Sequence, residues 1–242
     1  MNQFGVAYAQ VERDPAISHV LAALAASDAK DDLVFLGGTA LARTYLPDLR
    51  LSEDIDLITS NRRSSTARMI ASAMESRLRR TLGRVTWQPS LIATSGSGAA
   101  TMIIDDRIPI QIQLLSASGY PRWPTTVESV RQRYRDAPPA LLPTLTPVAF
   151  AAAKTSAWYG RAAPRDLYDL WALAETGAID AEATKLYRRH GPTTGNPADL
   201  FSINSAPTDR AWEAALAHQC RIRVGPDEAM RVVRTAWTEA AR

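Results

Sequence analysis

The chain has 242 residues, 46% hydrophobic and 22% charged, with a formal net charge of +3. These values suit one large globular domain or two small ones and exclude a disordered or fibrous chain. The sequence has no apolar run of roughly eighteen residues, which excludes a membrane span, and its lone cysteine, Cys220, excludes an internal disulfide framework or cysteine-rich zinc site. The opening residues, Met1-Asn2-Gln3-Phe4-Gly5, lack the basic and apolar regions of a secretory leader, so a cytoplasmic protein is expected. Lysine occurs only at Lys30, Lys154 and Lys185, and arginine supplies every other cation. A GC-rich coding sequence explains that bias; arginine also suits bidentate contact with phosphate, so a nucleic-acid partner is permitted but not required.

Residues 14–30 predict an amphipathic helix, with Asp14 as N-cap and Pro15 at the first helical position. Leu33 to Leu36 predicts a short strand that ends at Gly37-Gly38, and Thr39 to Tyr45 one or two helical turns closed by Pro47. Asp54 to Ile58 alternates acidic and apolar residues and predicts a second strand. A helix is expected over 64–82, capped by Ser64 or Ser65, with Arg77, Arg79 and Arg80 near its end. Three β-type runs follow at 84–88, 100–105 and 108–115, the last two joined by a turn at Asp105-Asp106-Arg107. The proline-rich stretch from Asp136 to Pro147 marks the clearest shift in composition, and the domain boundary is placed there. Helices are predicted at 147–159, 165–176, 180–190, 207–219 and 226–241. The expected class is therefore α+β: a mixed sheet flanked by helices over 1–136, then an all-helical domain over 137–242.

Two features of the first half carry chemistry. On a strand, residues i and i+2 share a face, so Asp54 and Asp56 project together and repel unless a cation lies between them. Such oxygen ligands suit Mg²⁺ or Mn²⁺, although a lone D-x-D also occurs on solvated edge strands. Gly37-Gly38-Thr39 stands at a strand-to-helix junction, where glycines allow a phosphate close to the backbone. Thr39 adds a hydroxyl donor to that turn or caps the helix. The pattern is neither a Walker motif nor G-x-G-x-x-G.

The stretch GGTALARTYLPDLRLSEDIDL resembles the first motif of the AbiEii/AbiGii (MenT-like) nucleotidyltransferase toxins, in the polymerase-β-like nucleotidyltransferase superfamily. AFAAAKTSAWYGRAAPRDLYDLWAL resembles the second, a lysine on a helix followed by Arg-Asp-Leu-x-Asp-Leu. Together the two motifs span about residues 33–175. The resemblance implies a nucleotidyltransferase-type fold and an enzyme that transfers NMP from an NTP with release of pyrophosphate. Asp54 and Asp56 would be metal ligands, and Asp54, Asp56, Lys154 and Asp166 catalytic. Gly37, Gly38, Thr39, Ser52, Lys154, Arg165 and Asp169 would bind nucleotide. Read by itself, Lys154 is a buried cation awaiting a counter-charge or a side chain reaching to solvent. Asp166 suits a helix dipole, and Arg165 with Asp169 an i,i+4 ion pair. Superfamily members often carry a third carboxylate on a neighbouring strand, where this chain offers Gln111 and Gln113.

Relatives of this kind act on RNA, notably the 3′ end of tRNA, which implies an RNA acceptor, a cognate antitoxin and inhibition of translation or growth. Arg131, Arg133 and Arg135 around Tyr134, with Arg79 and Arg80, would contact that RNA; the first three read equally as one face of a solvated helix. Two rival expectations stand beside this one: transfer to a protein or small molecule, and nucleotide binding without turnover.

Overall fold

A computed structural model describes residues 8–242. The leader reading at Met1 to Gly5 lies outside them. The described chain divides into two compact units, one of residues 8–120 with Thr125–Thr144 and one of Pro121–Pro124 with Leu145–Arg242.

The first unit is built on a mixed seven-stranded sheet with order β3-β4-β5-β2-β1-β7-β6. Its strands are β1 (Leu33–Leu36), β2 (Ile55–Thr59), β3 (Val85–Trp87), β4 (Ala99–Ile104), β5 (Ile108–Ser116), β6 (Thr125–Val130) and β7 (Ala140–Leu145). β1 runs antiparallel to β2 and parallel to β7, while β2 runs parallel to β5. Period-two alternation decides which faces are buried. Ala100, Met102 and Ile104 on β4 and Ile110, Ile112 and Leu114 on β5 all point into the core, and Gln111 stays exposed. Helices α1 (Tyr8–Ala25), α2 (Gly37–Arg43) and α3 (Arg63–Leu78) complete the unit.

The proline-rich stretch that suggested a break between domains contributes a strand: Thr144 pairs with Phe35, and its hydroxyl donates to the Phe35 carbonyl at 2.7 Å. Helix α1 differs from its expected form. It is already helical at Tyr8, so Asp14 is no N-cap and Pro15 lies inside the helix. The reason is a distant partner. The Asp14 carboxylate accepts from Arg43 at 2.7 Å and from Arg133 at 2.8 Å, and all three are buried or half-buried. Arg43 also donates to Ser18 Oγ at 2.8 Å, which ties α2 to α1. Burial is the main cause that lowers the Arg43 pKa to about 10, against the opposing pull of Asp14. Arg43→Met is expected to destabilise the fold by about 3 kcal/mol, because it strands part of a buried charge network. An unchanged thermal midpoint would show that this network does not hold the two helices together.

The segment 131–136 is not helical, so no helix face forms there. Helix α3 starts without a side-chain cap, its N-cap position being Arg62 rather than a serine.

The second unit is helical: α4 (Pro147–Arg161), α5 (Pro164–Glu175), α6 (Ala181–His190), α7 (Asp209–Leu216) and α8 (Pro226–Ala240). Three of these begin with the caps a sequence advertises. Thr146, Asp180 and Thr208 each accept a hydrogen bond from a main-chain N–H in the first turn of α4, α6 and α7. Trp212, Trp237, Tyr168 and Tyr187 fill the core between the helices.

Candidate active site

In the first unit the antiparallel register of β1 and β2 sets Leu36 opposite Asp56. The chain then leaves β1 through Gly37, at φ +79°, and enters α2. What surrounds the two glycines shows why both are needed. A Cβ on Gly37 would lie 2.0 Å from Oδ2 of Asp56, and one on Gly38 would lie 2.6 Å from Nη2 of Arg50 and 2.9 Å from Oγ of Ser52. The turn is therefore seated on a carboxylate under one glycine, with a guanidinium and a hydroxyl under the next. Thr39 is buried, and its hydroxyl donates to the main-chain oxygen of Asp54. It neither caps α2 nor turns that hydroxyl outward; it ties the glycine turn to the acidic segment.

Asp54 precedes β2 by one residue and is exposed, while Asp56 lies on the strand and is half-buried. Glu53 is ion-paired with Arg13. On the neighbouring strand the register partner of Asp56 is Gln113, whose Nε2 donates to the Ser97 carbonyl. The strand residue beside Asp56 is thus a neutral amide rather than an acid. Among the described residues no group of three His, Cys, Asp or Glu side chains could hold a metal. The donor set for a cation is two aspartates, hard oxygen ligands that fit Mg²⁺ or Mn²⁺ when substrate phosphates and water complete the shell.

The other candidate residues lie in the helical unit. Helix α4 buries Phe150, Ala151 and Ala152, and Lys154 is buried with them. Its ammonium neither waits for a counter-charge nor reaches to solvent. Nζ lies 3.0 Å from Oδ1 of Asp166 and 2.7 Å from Oδ2 of Asp169. The chain reverses after α4 through Ala162 in the left-handed region and Pro164 at the start of α5. Asp166 and Asp169, three residues apart, then fall on one buried helical face. Arg161 clamps Asp166 with two bonds, Nε to Oδ2 at 2.7 Å and Nη2 to Oδ1 at 2.9 Å. Burial pushes the Asp166 pKa up, but Lys154 and Arg161 outweigh it and hold the carboxyl below its ordinary value. Arg165 is exposed, and the expected pair with Asp169 does not form.

Of the arginines expected at an RNA surface, Arg79, Arg80, Arg131 and Arg135 are exposed. Arg133 is not available in that way. Besides Asp14 it donates to the carbonyls of Ala42 at 3.1 Å and Pro47 at 3.0 Å, so it is an internal brace. Two charged residues at these clusters escaped the sequence reading, Arg50 and Arg161. The spacing of Arg161 and Asp166 across a proline-started helix was an available signal; Arg50 offered none, because only the fold brings it under Gly38.

A family model described as the nucleotidyl transferase AbiEii toxin of type IV toxin–antitoxin systems matches residues 19–234. Among solved structures, the chain is similar to MenT4, a nucleotidyltransferase toxin from Mycobacterium tuberculosis H37Rv, at a TM-score of 0.70 and 20% identity. That likeness, one of fold, covers 97% of this chain and 84% of the other. No curated protein sequence matches the chain.

Proposed function

The chain belongs to the AbiEii nucleotidyl transferase toxin family of type IV toxin–antitoxin systems, and from that membership we propose that it transfers NMP from an NTP to an RNA acceptor, foremost the 3′ end of tRNA. Family membership implies a cognate antitoxin, an NTP substrate and a divalent metal; Mg²⁺ or Mn²⁺ is our assignment for the metal. The observation that carries the reading is the Gly37 turn seated on the Asp56 carboxylate, with Arg50 and Ser52 under Gly38, which brings main chain, hydroxyl and an acid together at the turn.

Asp54 and Asp56 would hold the divalent cation, which when bound neutralises charge on the α-phosphate and the departing pyrophosphate. Gly37, Gly38 and Ser52 would take the triphosphate oxygens, and Thr39 keeps the turn and Asp54 in step. An acceptor hydroxyl attacks the α-phosphorus, a new P–O bond forms, and the bond to pyrophosphate breaks. That route needs no protein nucleophile. For Lys154, Arg165, Asp166 and Asp169 in the helical unit, catalytic and nucleotide-binding roles rest on the resemblance alone, and there the lysine is paired with both aspartates. Exposed Arg79, Arg80, Arg131 and Arg135 would meet the RNA backbone, which makes acceptor binding sensitive to salt. Among the described residues no helix is long and apolar enough to cross a membrane, and the reaction is proposed for the cytoplasm, where tRNA is found.

The neutral Gln113 beside Asp56 favours a second reading, nucleotide binding without turnover. Incubation with each α-labelled NTP, total tRNA and Mg²⁺ or Mn²⁺ separates the two. Label on tRNA that chelator abolishes is the expected result. Label on a protein or small molecule would redirect the acceptor assignment, and binding with no transfer to any acceptor would establish the second reading.

A further inference from the structure

Arg50 lies between the glycine turn and the acidic segment, where the resemblance assigns it no role, and it is buried against the glycine turn. Its neighbours Leu49 and Leu51 are themselves only 5% exposed, so the main chain on both sides is anchored in the core. The Arg50 side chain is 3% exposed, and its Nη1 donates to the Leu51 carbonyl at 3.2 Å. Its Nη2 fills the place a Gly38 side chain would take, 2.6 Å from that Cβ position, with Ser52 Oγ beside it. A guanidinium keeps its charge under these conditions, and burial protects the charge from ionic screening. The turn thus has a carboxylate under Gly37 and a fixed cation under Gly38, one residue apart. Opposite charges so arranged sort the two parts of a metal–triphosphate: the acid side takes the cation, and the arginine side favours phosphate.

We propose that Arg50 is a positioning residue of the nucleotide site, which shapes the Gly38–Ser52 side of the turn and raises affinity for the triphosphate through its buried charge. This proposal rests on the nucleotide-site reading above. At 3% exposure the side chain acts through the turn rather than by reaching the reacting atoms.

The test measures binding of a fluorescent NTP analogue and steady-state transfer for the native chain, Arg50→Met and Arg50→Lys, with circular dichroism as the fold check. Arg50→Met is expected to raise the NTP Kd and KM about tenfold while kcat changes less, the loss expected when the turn keeps its place but loses the buried charge behind it. Arg50→Lys is expected to stay within about threefold of native, since it keeps the charge that a packing role would not require. A folded Arg50→Met that binds NTP as the native chain does overturns the proposal, as does a lysine variant no better than methionine. Should Arg50→Met not fold, the lysine variant decides alone: near-native binding supports the charge role, and lost binding refutes it. A native chain that binds no NTP removes the nucleotide-site reading and this proposal together; indifferent Arg50 variants of a binding-competent chain remove only this one.

Discussion

Gly37→Ala is expected to silence nucleotidyl transfer as fully as Asp56→Ala, at least about a hundredfold below the native chain, because a displacement near one ångström at reacting groups has that effect. A Cβ at residue 37 would sit 2.0 Å from Oδ2, 2.9 Å from Cγ and 3.1 Å from Cβ of Asp56. No rotation of a side-chain tip relieves three such contacts, so either the turn or the aspartate must move. The φ of +79° adds backbone strain for any L side chain, roughly 1–2 kcal/mol. Gly119 supplies the control. It too has positive φ, +85°, but an added Cβ there meets nothing within 4 Å. Gly119→Ala is expected to bear the backbone strain alone and to retain transfer. If label transfer by folded Gly37→Ala stays within about tenfold of native, on the same scale of ångström-sized misplacement, then the turn does not set the Asp56 position.

Lys154→Met is expected to be the most destabilising single substitution in the helical unit, by roughly 4 kcal/mol, the range for breaking a buried ion pair from one side. It takes the lysine from two carboxylates whose side chains are 0% and 2% exposed, Asp166 and Asp169, while the largely exposed Arg161 still holds Asp166. The dependence on pH carries a sign. In the native chain burial raises the Asp166 pKa, but Lys154 and Arg161 bring it below the ordinary carboxylate value. Asp166 therefore contributes stability that is complete above about pH 4, the unfolded value, and is lost as pH falls through its lower folded value. In Lys154→Met the burial of a carboxylate without its lysine favours protonation in the folded state. The folded variant then binds more protons than its unfolded chain, so its stability should rise from pH 7 to pH 5 relative to the native chain, in which Asp166 contributes no slope over that range. Asp169→Asn in that background should recover part of the loss. Urea denaturation at the two pH values reads all of this, and a variant as stable as the native chain at pH 7 would refute it.

Both predictions depend on features that were legible to different degrees. The glycine turn, the acidic segment and the alternating strands were readable because their chemistry is local. Gly37 directly follows β1, Asp56 lies on its antiparallel neighbour β2, and period-two burial on β4 and β5 is written in the order of the residues. Asp14 was misjudged as a cap because an aspartate before a proline advertises a helix start, whereas here it neutralises Arg43 and Arg133, the latter 119 residues away. A buried ion pair outweighs the small preference for a cap. Arg133 was drawn inward by the same contact, which an alternating arginine pattern does not disclose.

By itself, the sequence determined the class of fold and the family and singled out two acids, since these rest on residue type, period and short spacing. Tertiary structure alone decided what each charge faces. It set Gln113 rather than an acid beside Asp56, gave Lys154 two aspartates as counter-charges, spent the Thr39 hydroxyl on the Asp54 backbone, and buried Arg50 under Gly38. The physical reason is that a charge or hydroxyl leaving water must find a partner, and in a folded chain that partner is fixed by strand register and helix reversal rather than by distance along the sequence.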